Sequence, residues 1–371
     1  MQKIKILQFP IANSQGGITQ YVLQNWKFID KSRFQFDFAT MSKKLDFAEE
    51  LEKDGCQIFY ISHYAEEDEK QFNEEFRRIL LQGHYDVVHL HTKQWKSFNV
   101  ERIAKEVGIK KIIIHAHNTG IDTLDEEKRQ KEETLHYNVR EELTEDIATD
   151  YWACSKTAAD FLFGDKISPD RIKIMNNAID ITKFRYDEEI RKQYRKQFGI
   201  ENKIVLGNVG RLAFQKNQEF LIEVFAKVYK KNNNLVLFII GEGELKEQLE
   251  EKCKKLGIEQ CVFFLGKRQD VFRLYQMLDL FLLPSRFEGL GICIIEAQAS
   301  GLKCICSDAI PNEAIVSKNV YLEPLESDVW VQDIEVLINY YERENMDQII
   351  KNAKFDLNDQ IQVIEKEYEL F

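Results

Sequence analysis

The chain has 371 residues, 44% of them hydrophobic and 30% charged, with a formal net charge of −11 at pH 7. That length exceeds what one hydrophobic core usually holds, so two domains are expected, and the acidic balance argues against a protein built to grip nucleic-acid phosphates. The longest apolar runs, such as NLVLFIIG and LDLFLLPS, fall far short of the ~20 residues of a membrane-spanning helix. MQKIKILQFP lacks the apolar centre of a signal peptide, and the expected location is the cytoplasm.

From the first residue, short apolar runs alternate with longer segments of helical spacing, the pattern of strand–helix units over a parallel sheet. IKILQF, FDFAT, CQIFYIS, DVVHLH, KIIIHAH, DYWACS and KIMNNAI read as the strands of a first half. Within it, Leu135, Val139, Leu143 and Ile147 recur every four residues and predict a helix packed by that stripe. The charged stretch DEEIRKQYRKQFGI then reads as a connector. After it the pattern restarts with KIVLGNVG, LVLFIIG, CVFFLG, LDLFLLPS, KCICSD and NVYLEP. The expected domains are 1–180 and 181–350, with a helical tail, 351–371, returning to the first. Cys56, Cys154, Cys253, Cys261, Cys293, Cys304 and Cys306 are odd in number and lack a CxxC framework, so they read as buried, reduced thiols.

In doubly wound sheets ligands sit beyond the carboxyl ends of the strands, and the residues with chemistry fall there. PIANSQGGITQYVL places Gly16 and Gly17 ahead of a helix, where backbone N–H groups can approach an anion; a turn that merely needs glycine is the alternative. GNVGRLAFQKN puts Arg211 and Lys216 at a helix N-terminus, where cations suit the dipole poorly unless an anion such as a diphosphate joins them; solvated loop charges are the plainer reading. LFLLPSRFEGLGICIIEAQASG sets Glu288 and Glu296 around Gly289 and Gly291. Two such carboxylates can accept hydrogen bonds from vicinal hydroxyls of a sugar or ribose, while Gly291 and Ile292 can aim N–H groups at phosphate. Ordinary helix charges are the alternative. HLH (His89, His91) and HAH (His115, His117) each put two imidazoles on one face of a strand. They either line a cleft or offer four ligands to zinc in a metal-dependent hydrolase, although no Asp or Glu with ligand spacing accompanies them.

The Gly-Gly loop, GRLAFQKN, GEGE, FLG and the Glu, seven residues, Glu pattern of EGLGICIIE together resemble family 4 of the retaining glycosyltransferases. QGGITQYVLQNWKFIDKSRFQFDF, IIIHAHNTG, YWACSKTAADFLFG and KIMNNAID look like members that assemble bacterial capsular polysaccharides and exopolysaccharides. The resemblance implies the GT-B fold, an α/β architecture of two facing Rossmann-like, doubly wound parallel-sheet domains with a cleft between them. The acceptor would lie on the N-terminal side and the donor on the C-terminal side. The implied reaction moves a sugar, with retention, from a nucleotide diphosphate donor, a UDP-sugar, to a glycan or lipid-linked glycan in surface polysaccharide biosynthesis.

The resemblance also distributes roles. Arg211, Lys216, Gly16, Gly17, Gly291 and Ile292 would hold the diphosphate. Glu288, Gly289 and Leu290 would hold the donor sugar, Glu296 the ribose, and Lys267 and Arg268 of GKRQD would contact the base. Glu288 and His117 would be catalytic, with His115 as the substitute for His117. Because the two cations neutralise the leaving group, no metal and no cofactor is implied. Ala178 stands where glycine is common and Leu290 where an aromatic is common. A non-catalytic nucleotide-sugar-binding subunit of the same fold is the alternative. On the acceptor side, Trp95 can stack on a sugar ring, and Lys93 and Lys96 beside Trp95 and Phe98 can form a basic, aromatic edge for peripheral contact with the membrane surface.

Overall fold

Short runs of Ile, Val, Leu and Phe bounded by Gly, Asn, Asp or Ser suit a strand covered on both faces, because branched and aromatic side chains pack well on a pleated surface. In the computed structural model, which describes residues 3–13, 16–339 and 342–371, thirteen such strands form among the described residues. Each arises from one of the thirteen apolar runs. The chain divides into two compact units, the first comprising Met1–Gly120, Gln130–Asn177 and Asn358–Phe371, the second Ile121–Arg129 and Ala178–Leu357.

The first unit holds β1 (Ile4–Phe9), β2 (Phe34–Thr40), β3 (Ile58–Tyr60), β4 (Val87–Thr92), β5 (Lys111–Ala116), β6 (Asp150–Ala153) and β7 (Ile172–Ile174), in the spatial order β3-β2-β1-β4-β5-β6-β7. The second holds β8 (Ile204–Val209), β9 (Leu235–Ile240), β10 (Val262–Phe264), β11 (Leu280–Leu283), β12 (Lys303–Ser307) and β13 (Val320–Glu323), in the order β10-β9-β8-β11-β12-β13. All pairings are parallel. Strand order reverses between β1 and β4 and between β8 and β11, so each unit opens its crevice at those carboxyl ends. All six residues of β9 are buried, as a central strand between two helical layers requires.

Three expectations change. The helix Glu126–Glu141 does not pack by the Leu135 stripe: Leu135 is exposed and His136 is its buried residue, accepting the Trp95 N–H at 2.9 Å and pairing with the Phe161 carbonyl at 3.0 Å. Two backbone hydrogen bonds decide which face turns inward, and periodicity alone does not see them. The supposed connector is the helix Glu188–Phe198, capped by Asp187, whose carboxylate accepts the N–H groups of Glu189 and Ile190, and closed by left-handed Gly199 at φ 66°. It is an integral part of the second unit, because Arg191 and Arg195 both reach Asp279, at 2.5 and 3.1 Å. The tail also divides: helix Asp347–Asn352 belongs to the second unit, whereas helix Leu357–Glu369 packs almost wholly within the first. No helix among the described residues is long and apolar enough to cross a membrane, and all seven cysteines are buried, reduced thiols.

Asp279 also accepts the Val205 N–H at 2.7 Å, so one largely buried carboxylate pins a helix to the start of two strands. Asp279→Ala strands two guanidinium groups and is expected to cost about 3–5 kcal/mol in urea unfolding.

Candidate functional site

The second unit builds its site at the switch between β8 and β11. The loop after β8 is clamped from below. Gly241, at φ 144°, and Gly243 lie so close to it that an added Cβ would stand 2.0 Å from the Gly210 carbonyl oxygen and 2.1 Å from that of Leu212. That proximity permits Leu212 N–H to donate to the Glu242 carbonyl at 2.9 Å and Leu245 N–H to the Leu212 carbonyl at 3.2 Å. The GEGE stretch thus holds Arg211 from behind. Asn217, at φ 53°, turns the chain into the helix Gln218–Lys231.

Lys216 Nζ lies 2.5 Å from Glu288 Oε1, with 13% and 5% of the two side chains exposed. Ser285 Oγ donates to the same oxygen at 2.6 Å, and Gln215 Nε2 reaches the other at 3.4 Å while donating to the Phe287 carbonyl at 3.0 Å. Burial works against the Lys216 charge, but its neighbours Cys293 and Glu288 more than offset this and raise its pKa. Burial also pushes the Cys293 thiol up to about 12, so it is neutral at pH 7 and Glu288 carries the pairing. The Gln215 N–H donates to Asp122 Oδ1 at 3.0 Å, and Asp122 Oδ2 forms an ion pair with Arg211. One string of contacts therefore runs Arg211, Asp122, Gln215, Glu288, Lys216. Each of the two expected diphosphate ligands already holds a carboxylate.

Glu296 lies in the first turns of helix Ile292–Ala299, which starts from left-handed Gly291 at φ 81°. Its Oε2 accepts the Tyr275 hydroxyl at 2.9 Å. Burial raises its pKa to about 7, with Tyr275 and Lys216 pulling the other way. Leu290 is 2% exposed, so only its backbone faces outward chemistry. Arg268 is occupied by a two-pronged contact with Asp270, at 2.8 and 2.7 Å, while Lys267 is exposed.

In the first unit Gly16 and Gly17 are exposed, have no positive φ, and face open space where a Cβ would stand. Nothing in the fold itself demands glycine there. Behind the switch of this sheet, β4 and β5 run in register, His91 opposite His115, and bring four imidazoles onto one face. His91 pairs with His117 at 3.0 Å and with Gln8 Oε1 at 2.8 Å; His89 pairs with His115 at 3.1 Å and with the Tyr368 hydroxyl at 2.8 Å. Gln8 Nε2 donates to Tyr368 at 3.1 Å, joining the two pairs into one chain. Hydrogen-bond logic then assigns the protons: Tyr368 O–H donates to His89 Nδ1, His91 Nε2–H donates to Gln8, and His117 Nε2–H donates to His91, leaving a lone pair on His117 Nδ1. Burial lowers all four pKa values, that of His117 to about 3, so the chain is neutral at pH 7.

His89, His91 and His115 could also offer a metal three nitrogens within 4.8 Å of one another. They are at most 2% exposed, leaving no open coordination position for a reacting water, and the cluster supplies no carboxylate or thiolate to offset a dication. Trp95 and Phe98 are 1% and 2% exposed, and the Trp95 indole N–H donates to the Leu162 carbonyl at 2.6 Å. Neither ring is available to a sugar or a bilayer, and Lys96 is paired with Glu66 at 2.5 Å.

Residues 190–355, the part that carries Arg211, Lys216, Glu288 and Glu296, match the model of the family Glycosyl transferases group 1. The chain carries a glycosyltransferase domain. Relatives extend the similarity to the first unit. The putative glycosyltransferase EpsF of Bacillus subtilis is 28% identical over 89% of this chain and 86% of its own. The UDP-Gal:alpha-D-GlcNAc-diphosphoundecaprenol alpha-1,3-galactosyltransferase of Escherichia coli is 26% identical over 94% and 89%, and the capsular polysaccharide biosynthesis glycosyltransferase CapH of Staphylococcus aureus is 24% identical over 98% of both. Among solved structures, Anabaena HepE in complex with UDP and glucose superposes with a TM-score of 0.79 at 21% identity, covering 100% of both chains. The two parallel-sheet domains are thus those of the GT-B fold.

Within the matched domain, Arg211, Lys216 and Glu288 come together in one string of contacts, and Glu296 stands one Tyr275 hydroxyl away from Cys293 on the same helix. Asp122, Gln215, Ser285 and Tyr275 were not anticipated. Ser285 left a faint signal, since PSRFE sets it three residues before Glu288, close enough for its hydroxyl to donate to that carboxylate; Asp122 left none.

Glu296 generates a pH prediction. Between pH 4.5 and about 7 the folded chain keeps a proton on it that the unfolded chain releases, so its contribution to stability falls as pH rises through that window and is constant above it. Carbon-13 NMR should place its midpoint near 7, and Glu296→Gln should flatten that part of the stability–pH curve.

Proposed function

We propose that the protein is a retaining, metal-independent glycosyltransferase that moves a hexose from a UDP-sugar to a glycan or lipid-linked glycan during assembly of a surface polysaccharide. The observation that carries this reading is the buried Lys216–Glu288 pair beside Arg211 at the β8/β11 switch, where a diphosphate meets cations and a sugar meets a carboxylate. The relatives support it, since their names include a UDP-galactose donor, an undecaprenol-linked acceptor and capsule biosynthesis.

In this reading Lys216 and Arg211 take up the charge that develops on the departing diphosphate, which is the work a metal ion does elsewhere. Glu288 accepts hydrogen bonds from the donor sugar and offsets positive charge at the anomeric carbon, Gly289 and Leu290 contributing backbone alone. Glu296 takes the ribose, Lys267 and Arg268 meet the base, Arg268 by giving up its contact with Asp270, and the N–H groups of Gly16, Gly17, Gly291 and Ile292 meet phosphate oxygens. Neutral His117, its tautomer set by His91 and Gln8, presents Nδ1 to a sugar hydroxyl. The acceptor hydroxyl attacks on the face the diphosphate leaves, and the leaving phosphate takes its proton. The protein works in the cytoplasm and meets the membrane through its acceptor.

Slow donor hydrolysis, followed by mass spectrometry across uridine, guanosine and adenosine diphosphate sugars in EDTA, tests the reading. One donor should release its diphosphate, with rate losses of about 10²–10³ in Glu288→Ala and Arg211→Ala. Silence in EDTA with activity restored by zinc would sink it. If Gly17 completes the phosphate site only in the reacting complex, Gly17→Val, placed in open space, should leave the melting temperature unchanged and cut turnover about tenfold or more while UDP binding barely moves; an equal loss in both would mean that Gly17 already holds the nucleotide before reaction.

A further inference from the structure

Asp122 has no role in the reading above, yet it occupies Arg211, the more exposed of the two expected diphosphate cations. It lies in Ile121–Arg129, a nine-residue segment that packs with the second unit although the chain on either side of it belongs to the first. The Asp122 side chain is 10% exposed against 48% for its partner Arg211. One carboxylate oxygen takes the Gln215 backbone N–H and the other takes the guanidinium. A backbone N–H together with an arginine is the donor set that a phosphate oxygen takes in a loop leading into a helix. The far end of the segment is seated separately: the Arg129 guanidinium lies 4.4 Å over the Phe214 ring, which Arg286 also approaches, at 4.6 Å.

We propose that Asp122 is an internal stand-in for the donor's phosphate, holding Arg211 and the Gln215 N–H until a nucleoside diphosphate displaces it. The proposal rests on the reading of Arg211 as a diphosphate ligand. Two properties make the exchange work. A carboxylate brings one negative charge and a diphosphate more, so the nucleotide outcompetes the stand-in where a monoanion does not. The seat on Phe214 is a cation–ring contact near solvent, a weak hold that is easily released. The consequence is selectivity by charge. Empty, the site shows a matched ion pair to passing anions; only a ligand with enough charge opens it. The apparent affinity for nucleotide is lowered by the fraction of chains in which Asp122 is seated.

Isothermal titration of UDP into the chain and four variants tests this, alongside hydrogen exchange of residues 121–129. Asp122→Asn keeps an oxygen for the Gln215 N–H but loses the charge, and should tighten UDP about 5- to 10-fold, the range of a partly exposed ion pair with a hydrogen-bonded charge. Arg211→Ala should weaken UDP, and adding Asp122→Asn to it should change nothing further, since the stand-in then has nothing to hold. UDP should also speed exchange in 121–129 of the wild type as the segment lifts away. Asp122→Ala, checked for folding by its melting temperature, should tighten UDP as well. If both Asp122 variants bind UDP equally or more weakly while Arg211→Ala still weakens it, Asp122 positions Arg211 and the stand-in is wrong. Slower exchange with UDP would mean the segment closes on the nucleotide, which also overturns it. If Arg211→Ala leaves UDP binding unchanged, the diphosphate assignment itself fails.

Discussion

Charge pairing in a place water barely reaches is what the second unit is organised around. Lys216 and Glu288 come from loops 72 residues apart in sequence, and they meet because β8 and β11 are neighbours at the point where strand order reverses. Removing either partner leaves an ion in a site with little exposed surface, which is why the surroundings are so fully committed: Ser285 and Gln215 serve Glu288, Gly241 and Gly243 press on the loop that carries Arg211, and Asn217 turns that loop into its helix. A pair so placed is costly to keep unless something uses it. A leaving diphosphate does, because it needs a cation that is already desolvated and already aimed.

The first unit meets the opposite condition. Behind β4 and β5 its buried polar groups are neutral, a chain of imidazoles, an amide and a phenol in place of the usual aliphatic layer. Trp152 and Tyr21 pack against the imidazoles and keep water out. Neutrality is what makes such a layer affordable, since each imidazole both gives and accepts one hydrogen bond along most of the chain. The nitrogens left over are His115 Nε2, deep in the layer, and His117 Nδ1, at the end of β5. The sequence brings chemistry to the strand end by stacking it from the interior outward.

Much of this was legible beforehand because it is local. Thirteen apolar runs became thirteen strands, and the spacing of Glu288 from Glu296 follows from a strand end, a glycine turn and one turn of helix. What was not legible depends on contacts remote in sequence. Helix Glu126–Glu141 turns His136 inward because Trp95 and Phe161 offer it backbone partners. Helix Glu188–Phe198 looked like a linker because its arginines read as solvated, until Asp279, some 80 positions away, gathers them. Trp95 and Phe98 looked like an exposed edge only because Lys93 and Lys96 stand beside them in sequence. Asp122 is the extreme case: nothing in TGIDTLDEE says that an aspartate in a loop will find Arg211.

The return of helix Leu357–Glu369 has a consequence for how the molecule is made. Its Tyr368 completes the imidazole layer, and Glu365 accepts the Asp30 N–H at 2.8 Å, so the last elements of the chain finish the first unit. Those residues are synthesised only after the whole of the second unit. The β1–β7 sheet therefore waits through synthesis of the second unit for the phenol that completes its polar layer. The second unit, complete by Leu357, has all of its residues before the first unit has its last helix.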